Sequence, residues 1–143
     1  MNATKKVVYF ILFAAVAVVL VYGPSYFKKK DLPKLTIAPN LLPDSGGKPI
    51  FLMFYSDSCS ICQEMKPIIS QLQAEYGNKV FFHLVDSQNS ASFPLVEAFQ
   101  VQGLPSFFWL TPDLKIFDAN VGRVPDEEML RITGELSKKF GST

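Results

Sequence analysis

Two cysteines placed three positions apart are the side chains in this sequence best suited to chemistry. Cys59 and Cys62 are the only cysteines among the 143 residues, and they enclose Ser60 and Ile61. An apolar run ends just before the pair and a helical pattern follows it, so Cys59 is expected at a helix N-terminus. The unpaired N–H groups and the dipole there favour the thiolate, which is the nucleophile. We expect Cys59 to attack disulfides and Cys62, one turn on, to resolve the mixed disulfide.

Other uses of a cysteine pair fit less well. A zinc site needs four ligands, whereas the chain has one histidine and no third cysteine, so no metal is predicted. An inert disulfide across so short a loop would remove little entropy from the unfolded chain. With a net charge of +1 and no basic stripe, the chain also lacks the footprint of a nucleic-acid binder. No cofactor is predicted.

The elements that would position the pair follow from the hydrophobic pattern. Short apolar runs predict strands, and apolar residues at steps of three and four predict helices. Strands separated by helices imply parallel pairs, while the turn at Thr111–Leu114 implies an antiparallel closing hairpin. The fold class is therefore α/β, with a mixed sheet and helices on both faces. The predicted strands are 50–55, 80–86, 106–110 and 115–121, and the predicted helices are 59–76, 91–100 and 125–140, with a further short edge strand allowed at 34–38.

The N-terminal region reads as a separate segment. Residues 7–27 carry no charge and are long enough to cross the roughly 30 Å hydrocarbon core of a bilayer. We predict a tail at 1–6, one transmembrane helix or uncleaved signal at 7–27, a Pro- and Gly-containing linker at 28–47 and a domain at 48–143. A cleaved signal peptide is the alternative, although Val21-Tyr22-Gly23 does not resemble a small-residue cleavage site.

Residues 50–140 resemble thioredoxin over nearly the whole of the predicted domain. The resemblance rests on three stretches, FYSDSCSICQEMKP, QGLPSFFWL and VGRVPDEEML. Pro67 stands where the family has a proline inside its helix, Leu104-Pro105 matches the family's cis-proline loop, and Gly122 matches the glycine that ends the last strand. The pattern is most similar to membrane-anchored thioredoxin-like proteins of cyanobacteria and thylakoids, which face the lumen or periplasm.

The resemblance implies a thioredoxin-like fold and a protein-disulfide oxidoreductase. Cys59 and Cys62 would be catalytic, and the implied partners are protein thiols and disulfides, together with an upstream electron donor in the membrane. Leu104 before the proline resembles the Ile of reducing members, which favours a reductase over an oxidase. The residues that would bind substrate are Gly103, Leu104 and Pro105, with Ser60 and Ile61 between the cysteines.

Four positions depart from the thioredoxin pattern. Ser60-Ile61 replaces Gly-Pro between the cysteines, and Ser58 replaces the Trp before the first of them. Met53 replaces a buried Asp that in the family helps to take the proton from the second thiol. These changes leave open the direction of electron flow and the proton route to Cys62.

Three other residues are candidates of lower rank. His83 is the only histidine, and its place in a predicted strand favours a structural or surface role over that of a base. Asp57 is a candidate helix cap, and its charge near the thiolate would oppose ionisation of the thiol. Trp109 is expected in the core.

A single N-terminal apolar segment and the family resemblance predict a membrane-anchored protein whose domain is periplasmic or lumenal. The lysines predict the opposite orientation, since two precede the segment and four follow it closely. The alternative functions are a redox-inactive adaptor with the same fold and a tethered reductase that faces the cytosol.

Overall fold

The computed structural model describes residues 11–14 and 37–141. The chain divides into two units, residues 1–31 and 32–143. In the first unit, residues 11–14 are helical and exposed. The rest of the predicted anchor at 7–27, the tail at 1–6 and the first part of the linker lie outside the described residues. Within the described part, no helix combines the length and apolar character that crossing a bilayer requires.

The second unit is built on a four-stranded mixed sheet with the strand order β2-β1-β3-β4. The strands are β1 (Ile50–Tyr55), β2 (Phe81–Asp86), β3 (Ser106–Leu110) and β4 (Ile116–Val121). Strand β1 lies inside the sheet, between β2 and β3, and both of its faces are apolar. Phe51 and Met53 are buried in one core cluster, while Ile50, Leu52 and Phe54 are buried in the other.

Strand directions differ in part from the expectation. Strands β1 and β2 are parallel, and β3 and β4 form the predicted antiparallel hairpin. Strand β3, however, runs antiparallel to β1, with Phe54 opposite Ser106. The prediction of parallel pairing for every strand after a helix is thus wrong for β3. The connection from β2 brings the chain to the other side of β1, where β3 enters in the reverse direction.

Three α-helices cover the sheet: α1 (Ser60–Tyr76), α2 (Phe93–Ala98) and α3 (Asp126–Phe140). Helices α1 and α3 bury Met65, Leu72, Met129 and Leu136 in the cluster that holds Phe51. Helix α2 contributes Leu95 to the cluster on the opposite face. Helices therefore lie on both faces of the sheet, as predicted.

The second helix is shorter than the predicted 91–100. A 3-10 turn at Ser90–Ser92 precedes it, and the α-helix spans only Phe93–Ala98. Gln100 has a φ of 49°, a left-handed conformation that cannot continue a right-handed helix. The apolar spacing located the helix, but it carried no signal for this backbone reversal.

Core packing begins before the first strand. A 3-10 turn covers Pro39–Leu41, and the side chains of Ile37 and Leu42 are buried in the cluster with Phe54. Ile37 and Ala38 are not in a strand, and the other residues of the allowed edge strand at 34–38 lie outside the described part.

Candidate active site

Cys59 and Cys62 lie at the N-terminus of α1 and form a disulfide with a Cα–Cα distance of 5.2 Å. Cys59 is the N-cap residue, with extended backbone, and its Sγ accepts a hydrogen bond from the backbone N–H of Cys62 over 3.1 Å. Cys59 is half-buried, whereas Cys62 is 1% exposed. The two sulfurs are therefore unequal: only the first is presented to a partner, at the positive end of the helix.

A tight turn connects β1 to this helix. The N–H of Cys59 donates to the carbonyl of Ser56 over 3.2 Å, and the hydroxyls of Ser56 and Ser58 lie 3.2 Å apart. Asp57 is exposed, and its backbone carbonyl accepts from the Gln63 side chain over 3.3 Å. The cap is supplied by Cys59 itself, so the candidate capping role of Asp57 is wrong.

The loop before β3 reaches the same edge of the sheet. Strands β1 and β3 are antiparallel and Phe54 pairs with Ser106, so the C-terminal end of β1 lies beside the N-terminal end of β3. The Leu104–Pro105 peptide bond is cis, as the resemblance implied. The Ser106 hydroxyl donates to the carbonyl of Gly103 over 2.6 Å, and the Gly122 N–H donates to the carbonyl of Pro105 over 2.8 Å. These bonds fix the loop next to the cysteine turn.

The residues predicted to bind substrate differ in exposure. Ser60 is exposed and Ile61 is 36% exposed, so both offer surface beside the disulfide. Gly103 and Leu104 are half-buried, and Pro105 is buried. Four of the five residues therefore have enough exposed surface for the predicted role. Pro105 is buried and contributes through the conformation of the loop.

Val121 extends this surface and was not predicted. It is 64% exposed, and a Cβ added to Gly103 would lie 3.2 Å from its Cγ1. An apolar residue at the end of a strand, directly before Gly122, was the available signal. A side chain at position 103 would therefore press on Val121, which would have to shift by a few tenths of an ångström.

A pocket of about 300 Å³ opens onto Cys62 between α1 and the sheet. Met53 also lines this pocket and is 2% exposed. It stands where the resemblance to thioredoxin implies a buried Asp. Two ionisable side chains on the pocket wall, Asp57 and Lys66, were not connected to Cys62 from the sequence, although position 66 is one helical turn after 62. The lining residues are Met53, Tyr55, Asp57, Cys62, Lys66, Ile69, Ser70, Gln73 and Leu84.

The remaining candidates have structural positions. Trp109 is fully buried, as expected, and its Nε1–H donates to the Thr133 hydroxyl over 2.9 Å. His83 is half-buried and stacks against Phe81, with ring centroids 6.4 Å apart. Burial lowers the pKa of His83 below its ordinary value. In the part of the chain that the structure describes, no three His, Cys, Asp or Glu side chains cluster as metal ligands would.

Comparison with known proteins places these features in a family. The family model described as Thioredoxin matches residues 43–133. The thiol:disulfide interchange protein TxlA homolog of Synechocystis is 32% identical over 80 residues, which cover 56% of this chain and 44% of that protein. The chloroplastic thioredoxin-like protein HCF164 of Arabidopsis thaliana is 29% identical over 93 residues, covering 65% of this chain and 36% of that one.

Solved structures show the same fold. The germline-specific thioredoxin Deadhead of Drosophila melanogaster superimposes with a TM-score of 0.57 at 23% identity, over 63% of this chain and 82% of that chain. The chain spans less than half the length of the two relatives compared above. The similarity therefore concerns the domain that carries the cysteines.

Proposed function

The chain belongs to the thioredoxin family, and from that membership we propose that it is a protein-disulfide oxidoreductase that exchanges disulfides with protein cysteines through Cys59 and Cys62. One observation carries the proposal. Half-buried Cys59 is at a helix N-terminus and bonded to Cys62, and the half-buried residues Gly103 and Leu104 lie in the loop before the neighbouring strand. This arrangement has a nucleophile, a resolving thiol and a place for a substrate strand.

The exchange proceeds in two balanced steps. The thiolate of Cys59 attacks one sulfur of a substrate disulfide, forming a mixed disulfide and releasing the other sulfur as a thiolate. Cys62, deprotonated, then attacks the Cys59 sulfur, which closes the intramolecular disulfide and releases the second substrate thiolate. Two electrons pass to the substrate, and solvent protons neutralise the released thiolates.

The favoured direction is reduction of the substrate. The support is the likeness of Leu104 to the Ile of reducing family members. A reductase needs a supply of electrons, and we propose a membrane donor that reduces the Cys59–Cys62 disulfide by the same exchange in reverse.

Reduction of insulin disulfides by the full chain, with dithiothreitol as electron source, tests the activity. We expect turnover by the wild type and none above background from Cys59→Ser. The Cys62→Ser variant, reduced and then freed of dithiothreitol before insulin is added, should instead accumulate mixed disulfides, because the resolving thiol is missing. Equal rates for wild type and Cys59→Ser would contradict the proposal and favour the redox-inactive adaptor.

We also propose that residues 7–27 tether the domain to a membrane with the domain outside the cytoplasm. The length of the uncharged stretch supports the tether. The orientation is supported by the family resemblance and by the usual use of a lone N-terminal segment to export a redox domain. The flanking lysines favour the reverse orientation, but the excess is only two residues, four against two, and the free amino terminus narrows it.

Reporter fusions at Thr143 test the orientation. Activity is expected from a reporter that works only outside the cytoplasm and not from one that works only inside. The reverse result would leave the disulfide chemistry intact and make the protein a cytosol-facing tethered reductase. Partners captured by Cys62→Ser would then be cytosolic rather than envelope or lumenal thiol proteins.

A further inference from the structure

The resolving thiol has to lose a proton from a site with little access to water. Cys62 is 1% exposed, and Met53 and Ile69 are among the apolar side chains around it. Burial in apolar surroundings disfavours a thiolate. The pocket described above is a polar opening on this otherwise closed site. At about 300 Å³ it exceeds by far the volume of one water molecule, and its wall includes hydroxyl, amide and charged groups.

We propose that Lys66 is a positioning residue for the resolving step: its ammonium group stabilises negative charge on the Cys62 sulfur, and water in the pocket carries the thiol proton to solvent. This inference rests on the proposed function. Residues four apart on a helix are neighbours, with Cβ atoms roughly 5–6 Å apart. Lys66 and Cys62 have this spacing on α1, and both line the pocket.

Among the described residues that line the pocket, Lys66 is the only one with a cationic side chain. Asp57 lies on the same wall with the opposite charge, so it should oppose the thiolate that Lys66 favours. The wall also includes the phenol of Tyr55. The two oppositely charged side chains thus predict effects of opposite sign on one thiol.

The other charged groups on α1 and on the elements packed against it do not line the pocket. Glu64 and Arg123, which connects β4 to α3, form an ion pair of 2.5 Å, and neither lines the pocket. On α3, Arg131 bonds to Glu128 and Glu135. From β2 the pocket receives only Leu84; His83, its neighbour along the strand, faces the other side of the sheet.

The proposed step keeps atoms and electrons in balance. The Cys62 S–H bond breaks and its proton passes to pocket water, leaving the electron pair on sulfur beside Lys66. That sulfur then forms a bond to Cys59 as the bond between Cys59 and the substrate breaks, and the electron pair leaves with the substrate sulfur. In the reverse direction, the pocket returns a proton to Cys62.

Alkylation of Cys62 by iodoacetamide across pH tests the proposal. The full chain carrying Cys59→Ser has Cys62 as its sole thiol, so the rate follows its ionisation directly. Adding Lys66→Gln should move the midpoint of the profile to higher pH by roughly half to one unit, since the lysine is exposed and screened. Asp57→Asn should move it the other way, and Lys66→Arg should keep the original midpoint.

Lys138→Gln is the matched control, because it removes one exposed lysine from the last turn of α3, outside the pocket wall. Near-UV circular dichroism should show that every variant retains its tertiary fold. Equal midpoints for Lys66→Gln and Lys138→Gln would overturn the inference. The measurement needs no substrate, so it stands apart from insulin reduction: loss of wild-type turnover would refute the proposed function instead.

Discussion

The backbone N–H of Cys62 points at the Sγ of Cys59, with 3.1 Å between nitrogen and sulfur. The first cysteine thus caps the helix that contains the second. A hydrogen bond to a sulfur favours its charged form, and the helix N-terminus adds to this effect. Because of this contact, the two thiols should differ in acidity although their side chains are chemically identical.

In the reduced protein, Cys59 should be alkylated faster than Cys62 at neutral pH. Its sulfur is better exposed and accepts the N–H, whereas Cys62 is buried. Iodoacetamide labelling with peptide mapping at several pH values measures both sites in one sample. Preferential modification of Cys62 would reverse the assignment of attacking and resolving thiols.

Replacing Met53 with Asp should increase disulfide-reduction rates while lowering stability. A carboxylate at this position restores the family's proton acceptor near Cys62. The side chain is 2% exposed, so an unpaired polar group there should cost about 1–3 kcal/mol of unfolding free energy. Denaturant melts and turnover assays, with Met53→Leu as the volume-matched control, measure both effects. A Met53→Asp protein as stable as Met53→Leu would contradict the expectation.

Thr133→Val should destabilise the domain by about 1–3 kcal/mol, because it leaves the buried Trp109 Nε1–H without its acceptor. Thr133→Ser keeps the hydroxyl and serves as the control for loss of the hydrogen bond. Trp109 is the only tryptophan, so its fluorescence reports unfolding directly. Equal stability of Thr133→Val and the wild type would show that the hydrogen bond contributes nothing net.

Acid should cost the wild type more stability than it costs His83→Gln. Burial lowers the pKa of His83 in the folded state, so the unfolded chain takes up the proton first. Above the ordinary histidine pKa of about 6.5, His83 should not lower the free energy of unfolding. As the pH falls below that value and through the lower folded pKa, the free energy of unfolding of the wild type should decrease by the contribution of this one histidine. Denaturant midpoints across this range, for both proteins, give the comparison. Parallel pH profiles would rule out this contribution.

Local sequence patterns predicted most elements of the fold. Both faces of β1 are apolar, and the spacing of Met65, Ile69 and Leu72 is helical, so these elements depend on their own side chains. The antiparallel placement of β3 depends instead on how a long connection crosses the sheet. No periodicity within 106–110 encodes that direction, so the pattern alone could not predict it.

The candidate site likewise has a part that local sequence predicts and a part that depends on tertiary packing. The cysteines and the 103–105 loop are contiguous motifs that can be read along the chain. Val121 and the pocket wall are assembled from β1, β2, β4 and α1, and only packing brings them to the cysteines. The spacing of Lys66 from Cys62 was visible in the sequence, but it was not used, because an exposed lysine on a helix ordinarily faces solvent.

The position of β1 inside the sheet also determines how the redox site unfolds. The strand is hydrogen-bonded on both sides and buried on both faces, so its amides should be among the last to exchange with deuterium. The cysteine turn begins where this strand ends. Fraying of the outer strands β2 or β4 therefore cannot release the disulfide, and heat or denaturant should abolish redox competence and global structure in a single cooperative transition.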